Sequence, residues 1–590
     1  MMPSAGKPPV PPGPALPPVD PHQTRRATKQ AKEEGKKDEF FIVCLKNLTY
    51  LFNSSTNKHK EFSPNCDGEL NVNKESQKLI SVTLFMTCTK CKFVGPNCKM
   101  YSDMEYRLED IVSGNLNKAG RQNSGPRHST LNVSLALALT ASSIGTTQWQ
   151  EIMGGIGVHA GSTNGMNNLM TAVGPLNEKL ANESMTRGID GLIELQAKGE
   201  EVGVSFDVMY NNSKIRNHVP MQPASQAVGT VIGSNKKTIH LTVKNKLCWK
   251  CSKSETDNLI KNGKAKPCDS KGCTRNTATA ATISDEATTL RSALQALGEK
   301  GLKPNYCSLD GDAKNANVLS DNNIELSRDA WHVSKNIDKK YSKLPCDLND
   351  FDGDIVAEKE KEWKDFRGCV LARCNAELKS VSGKVKHLRG AVKKNKMSSM
   401  TRYITNTILN CHQGLCGEIS KCETRSFVCS GKNSYIKYGP TPTLGAKNTK
   451  LVKDMIDERM KGYLDVTFRN SNTSINEARN KAHTKVVPKT LTCSKNAISR
   501  LSRGTLVSNE GLAGSSNICN NAIGHRRSKN VINKMATLER KKAYSVRYSA
   551  TRKHKARAQI RIKHLKDIHK AKRSCARSEL YGPGIDMNTC

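Results

Sequence analysis

The sequence predicts an α/β fold carrying small cysteine-rich modules, with basic, loosely packed ends. Three observations lead there. Strand-like stretches at 202–209, 229–232 and 238–247 lie between helical patterns, and a shorter one at 306–309 ends on an acidic glycine turn. Several of the 21 cysteines fall in close pairs, a spacing that serves metal binding more often than disulfides in a chain without a secretory leader. Lys and Arg outnumber Asp and Glu by 93 to 54, while only 36% of residues are hydrophobic and 5% aromatic, so much of the length is expected to be exposed.

Taken along the chain, residues 1–38 read as a disordered leader, Pro-rich first and basic from Arg25 to Lys37. Nine prolines within the first 21 residues exclude an apolar signal helix. The longest apolar run, near Leu135–Thr140, is too short to span a bilayer, so no membrane partner is expected. Residues 39–125 form a cysteine-bearing module in which Val82, Leu84 and Met86 alternate as a strand entering Cys88-Thr-Lys-Cys91. A helical region follows at 126–200. The division from 201 to 515 holds the strands and a helix at 284–299, started by Ser284 with Glu286 in its first turn. Two insertions interrupt it: a cysteine-rich one at 245–275 and a mainly helical one at 340–470. Helical patterns also occupy 355–392, 451–463 and 474–483. Residues 516–590 are a basic tail.

Asp207 lies in Gly203-Val-Ser-Phe-Asp-Val-Met-Tyr210, otherwise apolar on both sides. Burying a carboxylate costs several kcal/mol unless something pairs with it, and a metal ion is a common partner. A structural hydrogen bond is the competing reading. Asp310 ends the 306–309 strand on a glycine turn, Asp310-Gly-Asp312, where strand-end carboxylates can meet at one sheet edge; Asp312 competes for the role, and a plain turn remains open. Asp329 and His332 stand three apart, on one face if helical. Glu477 opens a polar helical pattern and by itself reads as a solvated glutamate.

Sixteen residues separate the pair Cys248 and Cys251 from the pair Cys268 and Cys273, and two close pairs can close a tetrahedral structural Zn²⁺ site. Cys66, Cys88, Cys91 and Cys98 form a second candidate. Cys411, His412, Cys416, Cys422 and Cys429 form a third. The formal charge of +39 suits a polyanion, and residues 526–580 carry 19 Lys or Arg against three acids, a net of 19 − 3 = +16. Arg526, Arg527, Lys541, Lys542, Arg552, Lys553, Lys555 and Arg557 in this stretch are candidates for DNA phosphate contacts, from an arm that is disordered or a single helix.

In order and spacing these features resemble the Mutator-like transposase domain of animal genomes. The residues that carry the likeness are Cys88/Cys91, Asp207, Cys248/Cys251, Asp310-Gly-Asp312, Asp329-Ala-Trp-His332 and Asn476-Glu477, over about residues 40–515. Val208, Met209 and Tyr210 depart from the Gly, small polar residue and Trp common there, Ala313 replaces a usual Ser, and Asp329 a frequent Cys. The resemblance implies a ribonuclease-H-like mixed sheet with helices on both faces. It also implies an enzyme that cleaves and transfers DNA strands at transposon ends and target DNA, and a homo-oligomer is compatible with it; the reduced cysteines and the basic charge favour the nucleus. Asp207, Asp310 and Glu477 would hold Mg²⁺ or Mn²⁺, with His332 near the scissile phosphate. The alternative is a transposase-derived DNA-binding protein without cleavage activity.

Overall fold

The computed structural model describes residues 40–116, 128–212, 224–246, 275–277, 283, 285–309, 313–328, 330–385, 388, 390–401, 443–462, 474–488, 496–525 and 527–551, with scattered positions to 568. Two compact units are present: residues up to 107 with 117–139 and 144–170, and residues 108–116 and 140–143 with everything from 171 onward.

The described elements begin with α1 (Leu45–Phe62), β1 (Leu70–Lys78), β2 (Ser81–Cys88), β3 (Cys98–Lys99), α2 (Leu108–Ser113), α3 (Thr130–Thr140), α4 (Thr146–Gly155) and α5 (Thr163–Ala172). In the first unit β1, β2 and β3 make an antiparallel sheet in that order. The alternation expected of β2 is present: Val82, Leu84 and Met86 point inward against Leu51 of α1 and Met100. Strand β1 has no such pattern, being polar and largely exposed, and exists through its ladder with β2.

The second unit continues with α6 (Gly174–Ala197), β4 (Gly203–Asn212), β5 (Ala224–Gly233), β6 (Thr238–Asn245), α7 (Glu286–Glu299), β7 (Tyr306–Leu309), α8 (Ala313–Asp321), β8 (Glu325–Arg328), α9 (Ala330–Tyr341), α10 (Val356–Lys384), α11 (Gly390–Thr401), α12 (Ala446–Gly462), α13 (Ser474–Val486), α14 (Ala497–Ala522) and α15 (Lys529–Ala550). Its sheet is mixed, with strand order β6-β5-β4-β7-β8. Strands β4, β5 and β6 form an antiparallel meander, whereas β7 and β8 run parallel to β4. Period-two alternation on β4 decides what covers each face. Val204 and Phe206, with Val208 beside them, join Leu290, Ala293 and Leu297 of α7 and Val318 and Leu319 of α8. Met209, on the opposite face, packs with Val486, Val487 and Leu501 from the α13–α14 side. Helices α9, α10 and α12 build a separate apolar cluster around Trp363, Phe366, Leu378, Met455 and Ile456.

Asp285, not Ser284, caps α7, its carboxylate accepting from the Thr288 N–H. The tail begins as an ordered helix where a disordered terminus was one expectation. Ser528 caps α15, and Gly511, at φ 75°, breaks α14 where a Cβ would collide with Glu539 of α15. Among the described residues no helix is long and apolar enough to cross a membrane.

Candidate active site

Asp207 sits half-buried on β4, the central strand, on the face covered by α13. Its Oδ1 accepts from the following Val208 N–H at 2.8 Å, and its Oδ2 accepts from Asn480 Nδ2 at 2.6 Å. One helical turn before Asn480, the buried Asn476 lies 2.9 Å from Ser205 Oγ. With its amide oxygen turned to the strand, Asn476 also accepts from the Phe206 and Asp207 N–H groups. Two asparagines spaced i, i+4 on one helical face thus dock α13 onto β4. Glu477 stands between them in the first turn of α13, exposed.

Parallel strands β4, β7 and β8 bring their carboxyl ends to one edge of the sheet. On β7, Ser308 pairs with Ser205 and the strand ends at Leu309. Asp310 and Asp312, next in sequence, lie outside the described residues, as does Asp329 after β8. His332 is half-buried near the start of α9. A further carboxylate is close to the end of β4. Glu286 Oε1 accepts from the Tyr210 hydroxyl at 2.8 Å, and its Oε2 accepts from Asn315 Nδ2 at 3.2 Å. Burial, first, then the Glu286 hydrogen bond and charge, with Asp207 and Asp285 adding to them, push the Tyr210 phenol well above its ordinary value. The phenol is therefore a fixed donor in an acidic neighbourhood.

The first unit holds a different cluster. His59, Cys66, Cys88 and Cys91 each offer a ligand atom, all within 4.8 Å of one another. Cys66 and Cys88 sulfurs are 3.7 Å apart, and His59 Nε2 is 3.2 Å from Cys91 Sγ. The Cys91 N–H, then other N–H groups and neighbouring thiols, outweigh burial and lower the Cys88 thiol to about 6; burial leads in raising Cys91. Cys98, expected as the fourth member, stands apart, and His59 occupies the place expected for it. Strand β3 pairs Cys98 with Leu84, four residues or roughly 13 Å along β2 from Cys88. The Cys98 thiol instead faces Asn47 O at 3.6 Å.

Cys248, Cys251, Cys268 and Cys273, and the 411–429 cluster, lie outside the described residues. So do Arg526, Arg552, Lys553 and Lys555. Lys541 and Lys542 are exposed on α15, Arg527 is half-buried against Met535, and Arg557 reaches the Tyr548 hydroxyl. Sequence reasoning missed Asn480 and His59. Asn480 carried a readable signal, a second Asn at i+4 from Asn476. His59 carried none, since it lies in a polar helix outside any cysteine pair.

The second unit defines a mixed α/β protein with an acidic centre on its middle strand. Residues 39–429 of the 590 match the family described as Mutator-like transposase, a span that includes the Cys/His cluster, Asp207 and His332. The chain belongs to that family. Glu477 lies beyond the matched span. No individually curated protein matches the chain.

Proposed function

We propose that this protein is a DNA transposase that cleaves and transfers strands at a site of Asp207, Asp310 and Glu477. Family membership supports the transposase function. The observation that carries the site is the Asn480–Asp207 hydrogen bond, which brings the Glu477-bearing helix onto the strand of the first aspartate despite a sequence separation of 477 − 207 = 270 positions. The strand order, with an antiparallel meander followed by two parallel strands, supports the ribonuclease-H-like core. Two further steps of the parallel register that pairs Ser308 with Ser205 would carry Asp310 level with Asp207.

The donor set fits a hard divalent cation such as Mg²⁺ or Mn²⁺. Asp207 and Glu477 offer carboxylate oxygens, and the side chain of Asn480, bonded to Asp207 through Nδ2, has its Oδ1 buried without a hydrogen-bond partner among the described residues. When bound, a pair of such ions activates the attacking oxygen and stabilises the leaving one in an in-line displacement at phosphorus. Asp207, Asp310 and Glu477 would hold the ions. Asn480 fixes the rotamer of Asp207, and Tyr210 and Asn315 fix Glu286 on the other face. DNA carrying the element's terminal repeats would be the substrate, in the nucleus.

The test is strand cleavage of that DNA with Mg²⁺ or Mn²⁺, alongside DNA binding. D207N and E477Q should abolish cleavage and keep binding. N480A, which removes a supporting hydrogen bond, should lower cleavage about 10–100-fold. Undiminished cleavage by D207N would overturn the assignment. Binding without any cleavage by the unaltered protein would instead make it a transposase-derived DNA-binding protein, the reading favoured by Val208, Met209 and Tyr210 after Asp207.

A further inference from the structure

We infer that His59, Cys66, Cys88 and Cys91 form a tetrahedral zinc site that clamps α1 to the β1–β2 hairpin. The four ligand atoms lie within 4.8 Å of one another, and two of their separations are at coordination spacing. With Zn–S bonds of 2.3 Å and tetrahedral angles, sulfurs sit about 3.8 Å apart, and an imidazole nitrogen about 3.5 Å from a sulfur. The Cys66–Cys88 separation is 3.7 Å, and the His59–Cys91 separation is 3.2 Å. The sulfurs are too far apart for a disulfide, which needs about 2.05 Å. Three thiolates and an imidazole are a borderline-soft set, which selects zinc over magnesium or calcium.

The surroundings are shaped for that set. The Gly68 N–H points to Cys66 Sγ and the Lys90 N–H to Cys88 Sγ, each at 3.4 Å, which orients the ligands and stabilises negative sulfur. Position 68 must be glycine, because a Cβ there would stand 2.5 Å from Cys88 Sγ. Lys92, directly after Cys91, adopts φ 59°, turning the chain out of the knuckle at a conformation that L residues avoid. His59 is buried in the last turn of α1, and the Phe93 ring tilts against it at 5.4 Å.

The clamp answers a stability need. Among the described residues, the buried cluster that joins α1 to the sheet has five members, Leu51, Val82, Leu84, Met86 and Met100, with Phe41, Leu48, Leu70 and Cys98 partly buried against it. So small a core orders little chain by itself, and a structural metal makes up the difference. Chain entropy opposes closing the seven-residue step from His59 to Cys66 and the 22-residue step to Cys88, and one ion ties both.

The experiment measures bound zinc on the full-length purified chain by elemental analysis, comparing the unaltered protein with H59A, C88S and C98S. Other cysteine clusters can contribute zinc, so the difference is what counts. H59A and C88S should each hold one zinc fewer per chain, and C98S the full number. Unchanged zinc in H59A and C88S, or loss in C98S with none in H59A, would overturn the site. A second measurement uses no substitution. Chelation of the unaltered protein should open residues 63–69 to limited proteolysis, and zinc, but not excess magnesium, should restore protection. A cleavage pattern indifferent to chelation would also overturn it. Neither readout involves DNA cleavage, so the outcome is separable from the transposase reading.

Discussion

Asp207 shows why a carboxylate survives inside a strand. Its neighbours Phe206 and Met209 are buried, and an ion there would be costly without compensation. The Val208 N–H and the Asn480 amide supply two hydrogen bonds to it. His483, two positions past Lys481 on the same helix, is treated differently. It is fully buried, its Nε2 lies 3.1 Å from Thr505 Oγ1, and its Nδ1 has no partner among the described residues. Burial, aided by the Arg479 charge, pushes it down to about 4. In the unfolded chain it titrates near 6.5. The unfolded state therefore binds the extra proton between these values, so stability is complete above pH 6.5 and is lost as pH falls toward 4. Denaturant melts from pH 7 to 4.5 should show a loss of up to about 3 kcal/mol from this residue. H483Q should flatten the slope in that window. An equally steep decline in H483Q would show that another group is responsible.

Helix α10 carries the energetics at the scale of an element. Arg373 and Glu377, one turn apart, are both buried and meet at 2.8 Å. Nearby in the same helical cluster, buried Arg459 donates through Nε to Asn375 Oδ1 at 2.9 Å and Ser334 Oγ at 3.1 Å. The Glu377 carboxylate is the ion-pair partner of the buried Arg373 guanidinium, so removing it leaves positive charge in a low-dielectric interior. E377A should destabilise α9–α12 by about 3–5 kcal/mol, read as a lower urea midpoint. Replacing both partners with apolar residues of similar size should cost far less, because no charge is left stranded. A small loss in E377A would mean the pair is solvated.

For the whole molecule, the excess positive charge is concentrated toward the end of the chain. Helix α15 exposes Lys541 and Lys542 along with Leu538, Tyr544 and Val546, and Tyr544 stacks on Tyr548. It is tied to the body through α14, at the Gly511–Glu539 approach. Such a helix is suited to phosphate contacts that carry no sequence information. Deleting residues 526–590 should weaken binding to specific and unrelated DNA by the same factor. It should also flatten the plot of log affinity against log salt, by about 0.9 for each phosphate that the arm had neutralised. An unchanged salt slope would assign the DNA contacts to the rest of the chain.

Sequence alone determined the elements whose signal is local. The alternation of Val82, Leu84 and Met86 fixed β2, the apolar run around Phe206 fixed β4, and Tyr306–Leu309 was delimited by its acidic turn. The family was also legible, because the order of cysteines and aspartates along the chain survives without coordinates. Strands β1 and β8 were not, since one is polar and the other has four residues, and each is a strand only because a neighbour supplies its ladder. The fourth member of the Cys/His cluster was decided by tertiary structure. Cys98 was nearer in sequence to Cys91, but strand pairing carried it away, while the end of α1 delivered His59. The docking of α13 on β4 was likewise invisible, because a hydrogen bond between Asn480 and Asp207 spans 273 positions and only the packed sheet brings its two ends together.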